Sequence, residues 1–185
     1  SGRDSAQIVA GEVIRYRKPE ALIAVGIAYG RDPERQKIGD VLVSERVIAY
    51  EPQRIGVEAM IPRGQQFLPG VRLYRAFRNA DVDWTFCDPD GLPRTPHFGP
   101  ILSGEKLVDN PDFKSSLFES YPNAIGGEME GVGIATSADR EKREWIIVKA
   151  ICDWADGEKT DSHQGFAAAA SVSFVRHVLN QHGAI

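Results

Sequence analysis

Two predominantly apolar segments constrain the fold of this chain more than any other feature. They are ALIAVGIAYG at residues 21–30 and the body of EWIIVKAICDWAD at residues 144–156. Each is far shorter than the ~20 apolar residues that a membrane-spanning helix needs. An apolar segment of this length that does not alternate with polar residues is typical of a strand buried on both faces of a sheet. We therefore expect two buried strands here.

Helical periodicity predicts helices around these strands. Ile8, Val9, Val13 and Ile14 recur at helical spacing, which predicts a helix with these residues on one face. Asn110 before Pro111 is a favourable helix start. A further strand is predicted at residues 41–51, with a bend near Glu45, and regular structure resumes at residues 98–104. The predicted helices cover residues 5–17, 70–80, 111–120, 129–141 and 162–181.

Residues 52–97 are less regular, because prolines interrupt the pattern around the helix near 70–80, among them Pro62, Pro69, Pro89, Pro93 and Pro96. The acidic and aromatic segment DVDWTFCDPDG within this range is expected to form an ordered loop, to which the sequence assigns no function. Elsewhere strands alternate with helices, which indicates an α/β domain rather than a sandwich or a bundle. A length of 185 residues fits a single domain covering residues 1–185.

Composition excludes several classes of function. The formal net charge of -4 and the dispersed basic residues argue against nucleic-acid binding, which depends on phosphate neutralisation by Lys and Arg. Cys87 and Cys152 lie far apart and no histidine pair has the spacing of a zinc site, so neither a metal nor a cofactor is expected. Two distant cysteines and no signal peptide favour a reducing cytoplasm, and no segment predicts a membrane span.

The segment Glu128-Met129-Glu130 lies between two glycines and a predicted helix. A carboxylate is favourable at a helix N-terminus in its own right, which is the plainer interpretation. The functional interpretation is that a glutamate accepts hydrogen bonds from a sugar diol, since an ionised carboxylate offers two acceptor oxygens. Met129 would then offer an apolar surface to the ligand.

Asp153 directly follows an apolar strand, where carboxylates gather around ligands in α/β sheets. It could cap a turn, or it could hold or deliver a proton to a leaving group. Ala28 lies between Gly26 and Gly30 at the end of another strand, where small residues let a ligand approach the backbone. Strand ends predict that the ligand region involves residues 26–30, 103–108, 126–130 and 152–156.

Taken together, these segments resemble the nucleoside phosphorylase superfamily, and most closely its methylthioadenosine/S-adenosylhomocysteine nucleosidase branch. The most specific similarities are YPNAIGGEMEGVGIA and IIVKAICDWAD, which occur in the family's order; KPEALIAVGIAYG, IGDVLVSE and GPILSGEKLV add weaker ones. The resemblance implies a three-layer α/β/α domain with a mixed central sheet. It also implies that the family's usual first strand and loop, with an acidic residue that activates water, would precede Gly2.

The resemblance implies a role for each matching residue. Glu130 would hold the ribose hydroxyls, with Glu128 beside it and Met129 packed on the sugar, and Asp153 would protonate or stabilise the leaving base at purine N7. The base pocket would be lined by Leu107 and Val108 and closed by Phe166, with Ala28 and Cys152 at the neighbouring strand ends.

The implied activity is cleavage of a purine nucleoside, by water in preference to phosphate. Ile27, Lys149 and Cys152 replace residues that are common in the family, and these differences weaken phosphorolysis more than nucleoside binding. The alternative is a non-catalytic module that senses a nucleoside or nucleotide, or mediates assembly, inside a larger signalling or defence protein. The resemblance further implies a homo-oligomer, and it leaves phosphate open as a second small-molecule partner.

Overall fold

The computed structural model of the chain describes residues 2–55, 60–62, 64–80, 82–157 and 161–181. The described helices are α1 (Arg3–Arg17), α2 (Val71–Asn79), α3 (Pro111–Ser120), α4 (Gly131–Arg140) and α5 (Gln164–Asn180). The described strands are β1 (Ala21–Gly30), β2 (Val41–Ala49), β3 (Gln53–Ile55), β4 (Met60–Pro62), β5 (Gln66–Phe67), β6 (Pro96–Ser103), β7 (Gly126–Glu128) and β8 (Glu144–Asp153). The predicted helices and the strands predicted at 21–30, 41–51 and within 144–156 are confirmed.

The main sheet is mixed and closes on itself. Its strand order is β5-β2-β6-β7-β1-β8, and β2 also pairs with β8. β1 is parallel to β8, and β6 is parallel to both β2 and β7, whereas the β1–β7 and β2–β8 pairs are antiparallel. The register between β2 and β6 shifts between Ser44 and Arg46, which confirms the bend predicted near Glu45.

Helices cover both faces of this sheet. One buried cluster joins α2 and α5 to strand residues such as Val41 and Ile146. The other joins α1 and α4 to the intervening strand residues, such as Leu42 and Ile147. Successive side chains of a strand point to opposite faces, so this alternation produces the predicted α/β/α layers. β8 is buried along its length except at its two terminal residues, as the sequence predicts.

The burial of β1 differs from the prediction. β1 pairs with β8 from Ala21 onward but with β7 only at Tyr29 and Gly30. Its first seven residues are therefore only partly covered, and Val25 is 39% exposed. This part of β1 borders an apolar groove of about 400 Å³ whose other wall is α1. The prediction that residues 21–30 are buried on both faces is wrong for the first part of the strand.

The inward face of α1 also differs from the prediction. The buried residues of this helix are Ala10 and Ile14. The other three predicted residues are exposed by 64%, 59% and 41%, in the order Ile8, Val9 and Val13. α1 packs along α4, and close approach of two helices favours the side that carries the smaller residues. Periodicity therefore predicts this helix but not its orientation.

Gly133→Ala in α4 is expected to lower the free energy of unfolding by about 1–3 kcal/mol. A Cβ on Gly133 would overlap the carbonyl oxygen of Arg3 and lie 2.9 Å from the amide nitrogen of Gln7, and these backbone atoms can move only with α1. Gly11→Ala in α1 is the matched control, because a Cβ there meets nothing within 4 Å. Urea unfolding of both variants measures the difference, and equal stability would contradict close packing at Gly133.

Candidate functional site

The four predicted ligand-region segments meet where β1 pairs with β7. Residues 126–128 form the strand β7, for which the sequence has no strand pattern. β7 has only three residues, is antiparallel to β1 and is parallel to β6. Because β7 is so short, the carboxyl ends of β6 and β7 lie in the same region of the sheet as the carboxyl ends of β1 and β8.

Tyr29 lies between the two acidic parts of this region. It pairs with Gly127 of β7 on one side and with Asp153 of β8 on the other. Neighbouring strands are about 4.8 Å apart, so the backbones of Gly127 and Asp153 are separated by about 10 Å. Glu128 follows Gly127 directly, and it pairs with Ser103 of β6. The carboxylates that the sequence singles out therefore belong to one region of the sheet.

Glu128 is held by the first turn of α4. Its carboxylate accepts hydrogen bonds from the backbone N–H of Glu130 at 2.9 Å and of Gly131 at 2.9 and 3.0 Å. The side chain is only 1% exposed. These bonds satisfy amides that a helix start otherwise leaves without partners. Glu128 therefore caps the first turn of α4, as in the plainer interpretation of this segment, whereas the sugar-binding interpretation remains a prediction.

Lys149 of β8 forms ion pairs with both glutamates. Its Nζ lies 2.9 Å from Oε2 of Glu130 and 3.5 Å from Oε2 of Glu128. Burial by itself lowers the pKa of Lys149, but the charges of Glu128 and Glu130 outweigh burial, so the pKa is raised above its usual 10.5. Gly26 of β1 leaves space for this side chain, because a Cβ there would lie 3.1 Å from Nζ. Glu130, whose side chain is 27% exposed, is thereby held in place at the edge of the site.

Asp153 is partly exposed and is fixed by its own strand end. Its Oδ1 accepts a hydrogen bond from the amide of Ala155 at 3.0 Å. The sulfur of buried Cys152 lies 3.0 Å from Oδ2 of Asp153 and 3.5 Å from the carbonyl oxygen of Ala28. Cys152 therefore contacts both Asp153 and Ala28 at this strand end.

The remaining predicted residues differ in their burial and in the residues that they contact. Val108 is buried in a cluster that also contains Tyr29, whereas Leu107 is 60% exposed. Met129 is half-buried beside the two glutamates. Phe166 packs against Phe86, with a ring separation of 5.5 Å, and lies against Gly39. Its role over a base remains a prediction.

Sequence reasoning did not single out Tyr29 or Lys114, which both lie within electrostatic reach of Asp153. Burial raises the pKa of Tyr29, and the nearby Tyr50, Glu128 and Asp153 raise it further, so both acidic parts of the site lie within electrostatic reach of one hydroxyl. Burial lowers the pKa of Lys114 on α3, against the opposing effects of Asp156, Asp153 and Asp32. Tyr29 lies within a segment that the sequence marks for ligands, but a tyrosine in an apolar strand resembles an ordinary core residue.

Among the residues that the structure describes, no three His, Cys, Asp or Glu side chains are grouped as a metal site. Within the same ranges, none of the helices combines the length and the apolar character needed to cross a bilayer.

The fold and the site define an α/β protein with a two-part acidic site at converging strand ends. The chain belongs to the phosphorylase superfamily, since the sequence model of the family described as "Phosphorylase superfamily" matches residues 2–180.

Named relatives extend this assignment. The chain is 32% identical over 197 residues to a "Death domain-containing ATP nucleosidase" of Amphimedon queenslandica; the match covers 95% of this chain but only 36% of that relative. It is 28% identical over 184 residues to a 5'-methylthioadenosine/S-adenosylhomocysteine nucleosidase of Maridesulfovibrio salexigens, covering 97% of this chain and 76% of that one.

Solved structures share the fold. A methylthioadenosine/S-adenosylhomocysteine nucleosidase of Colwellia psychrerythraea, in complex with adenine, matches 96% of this chain and 74% of its own, with a TM-score of 0.79 and 20% identity. A futalosine hydrolase of Helicobacter pylori also has a TM-score of 0.79, with 18% identity over 96% of this chain and 75% of its own. At such identities the similarity establishes the α/β architecture alone.

Proposed function

We propose that this chain cleaves the N-glycosidic bond of purine nucleosides by hydrolysis. The observation that carries the proposal is the strand pairing through Tyr29, which places Asp153 about two strand spacings from the Glu128–Glu130 segment. A nucleoside needs such a division, with one group for the base and another for the sugar. The relatives from Amphimedon queenslandica and Maridesulfovibrio salexigens are both named nucleosidases, which supports water over phosphate as the acceptor.

Glu130, held by Lys149, accepts hydrogen bonds from the ribose hydroxyls. Asp153 transfers its proton to N7 of the purine while the C1′–N9 bond breaks and its electron pair moves to the base. The sugar passes through an oxocarbenium-like state, which the nearby carboxylates stabilise. Water then adds to C1′, and the proton that it loses restores Asp153 by way of solvent, so the products are a free purine and a free sugar.

Other residues complete the ligand pocket in this proposal. Met129 packs on the sugar, Val108 and Leu107 line the base, and Phe166 closes over it. Cys152, whose sulfur lies near both Oδ2 of Asp153 and the carbonyl oxygen of Ala28, supports Asp153. Phosphate binding, assembly into a homo-oligomer and a cytoplasmic location are further proposals that rest on the resemblance.

A purine nucleotide is the second candidate substrate, because the Amphimedon queenslandica relative is named an ATP nucleosidase. The experiment that tests the function is chromatographic detection of free base released from adenosine, methylthioadenosine, S-adenosylhomocysteine, futalosine and ATP, each with and without inorganic phosphate. Base release independent of phosphate is the expected result. Dependence on phosphate would overturn hydrolysis, and no base from any of these compounds would overturn the enzymatic proposal.

Glu130→Ala is expected to raise KM for the nucleoside about 10- to 100-fold, because a charged acceptor of ribose hydroxyls is worth about 1.5–3 kcal/mol. Glu119→Ala, which removes an exposed carboxylate of α3, is the control and should leave KM unchanged. Initial rates with the best substrate of the panel measure both. Unchanged KM in Glu130→Ala would exclude the sugar role of this residue.

A further inference from the structure

The Tyr29 hydroxyl has no role in the mechanism proposed above. The residue is 8% exposed, and its ring makes an edge-to-face contact with Phe118 at 6.5 Å. No atom of the described residues forms a hydrogen bond with this hydroxyl. Buried hydroxyls in folded proteins nearly always have a partner, and a group that lacks one therefore calls for a functional explanation.

The direction of the Tyr29 side chain places its hydroxyl on the side of the site away from Asp153. A Cβ on Gly127 would overlap this hydroxyl and lie 2.7 Å from Cε1 of the ring. The ring therefore extends from β1 across β7, while Asp153 lies on β8 on the opposite side of β1. A ligand that spans the strand ends would meet Asp153 at one side and the Tyr29 hydroxyl at the other.

We propose that the Tyr29 hydroxyl donates a hydrogen bond to N3 of the bound purine and so contributes to the choice of base. This inference rests on the proposed function, in which Asp153 engages N7. N7 and N3 lie on opposite sides of the glycosidic nitrogen, which matches the opposite positions of Asp153 and the Tyr29 hydroxyl. N3 carries a lone pair and no hydrogen, so it requires a donor, and a phenol supplies one.

The surroundings keep this phenol in its donor form. Burial first, and then Tyr50, Glu128 and Asp153, raise the pKa of Tyr29, so the hydroxyl stays protonated through the whole physiological range. Val108, from the irregular segment 104–110, belongs to the same buried cluster, and residues 105–107 of that segment are exposed. Val108 therefore shares the apolar surroundings of Tyr29 and would contact the base edge in this proposal.

The test is calorimetric titration of adenine and 3-deazaadenine. The two bases differ only at position 3, where adenine has a nitrogen that accepts a hydrogen bond and 3-deazaadenine has a C–H group. The wild-type chain should bind adenine about tenfold or more tightly than 3-deazaadenine. Tyr29→Phe should bind both alike, at the weaker affinity, while its Tm stays equal or rises by about 2–4 °C because a buried polar group without a partner is removed. Loss of a merely structural bond would instead lower Tm.

Tyr121→Phe is the matched control. Its hydroxyl also lacks a described partner, but burial alone raises the pKa of Tyr121, without any influence from the site's carboxylates. This variant should keep the preference for adenine. Equal binding of the two bases by the wild-type chain, an undiminished preference in Tyr29→Phe, or no binding of adenine would each overturn the inference.

The two proposals fail differently. Binding that depends on N3 and Tyr29, without base release from any nucleoside, would overturn hydrolysis and keep the role of Tyr29. Base release with equal binding of adenine and 3-deazaadenine would keep the enzyme and overturn Tyr29. Titration of 7-deazaadenine checks the orientation of the bound base. This compound lacks N7, so it should bind more weakly than adenine both to the wild-type chain and to Tyr29→Phe.

Discussion

Asp153→Asn is expected to lower kcat for purine nucleoside hydrolysis about 10³-fold, the usual contribution of a well-placed general acid, with little change in KM. The amide can still accept the hydrogen bond that Asp153 receives from Ala155 at 3.0 Å, so the strand end should keep its shape. It can also donate a hydrogen bond to N7. It cannot transfer a proton, and the purine must then leave without one.

The leaving group provides the sharper measurement. 4-Nitrophenyl riboside releases a stable phenolate that needs no proton, so Asp153→Asn should hydrolyse it at nearly the wild-type rate. Asp90→Asn, at an exposed residue outside the predicted ligand region, is the control and should retain activity on both substrates. A variant Asp153→Asn that lost equal activity on the riboside and on adenosine would show that Asp153 does not act as the acid.

Local signals account for the parts of the fold that the sequence predicts well. β8 is a predominantly apolar segment, and α3 begins where the Asn110 side chain accepts a hydrogen bond from the amide of Phe113 at 2.9 Å. Closure of the sheet by the β2–β8 pairing depends on contacts across more than 100 residues. β7 has two glycines in three residues and carries no strand signal of its own; it is a strand because β1 and β6 flank it.

The residues of the candidate site also divide into those that the sequence predicts and those that depend on contacts between distant segments. Glu130 and Asp153 are predicted because their segments resemble family signatures, which requires no knowledge of geometry. The sequence singles out Lys149 only because it lies inside an apolar strand and replaces a residue that is common in the family. A charge in such a position must be neutralised, so a buried carboxylate partner could have been predicted, but which carboxylate depends on the register of β8 beside α4.

Lys149→Met is expected to lower the free energy of unfolding by about 3–5 kcal/mol, the usual effect of removing one partner from a buried ion pair. The variant leaves the Glu128 carboxylate, 1% exposed, without its cation at 3.5 Å. For a chain of this length the loss corresponds to a fall in Tm of about 6–20 °C. Lys37→Met, at an exposed lysine, is the control and should change Tm very little. Thermal unfolding followed by circular dichroism measures both.

The pH dependence of this loss identifies its origin. The pKa of Lys149 is raised in the folded chain above the usual 10.5, so its contribution is fully present below pH 10.5 and is lost as the pH rises through the higher folded value. The stability difference between wild type and Lys149→Met should therefore be constant from neutral pH to about pH 10 and shrink only beyond it. Glu130→Gln in the Lys149→Met background should recover part of the loss, because it removes one of the carboxylates left without a cation. Additive effects of these two substitutions would mean that the 2.9 Å contact between Lys149 and Glu130 contributes no coupling, and Glu130 would then be free to move rather than held for the sugar.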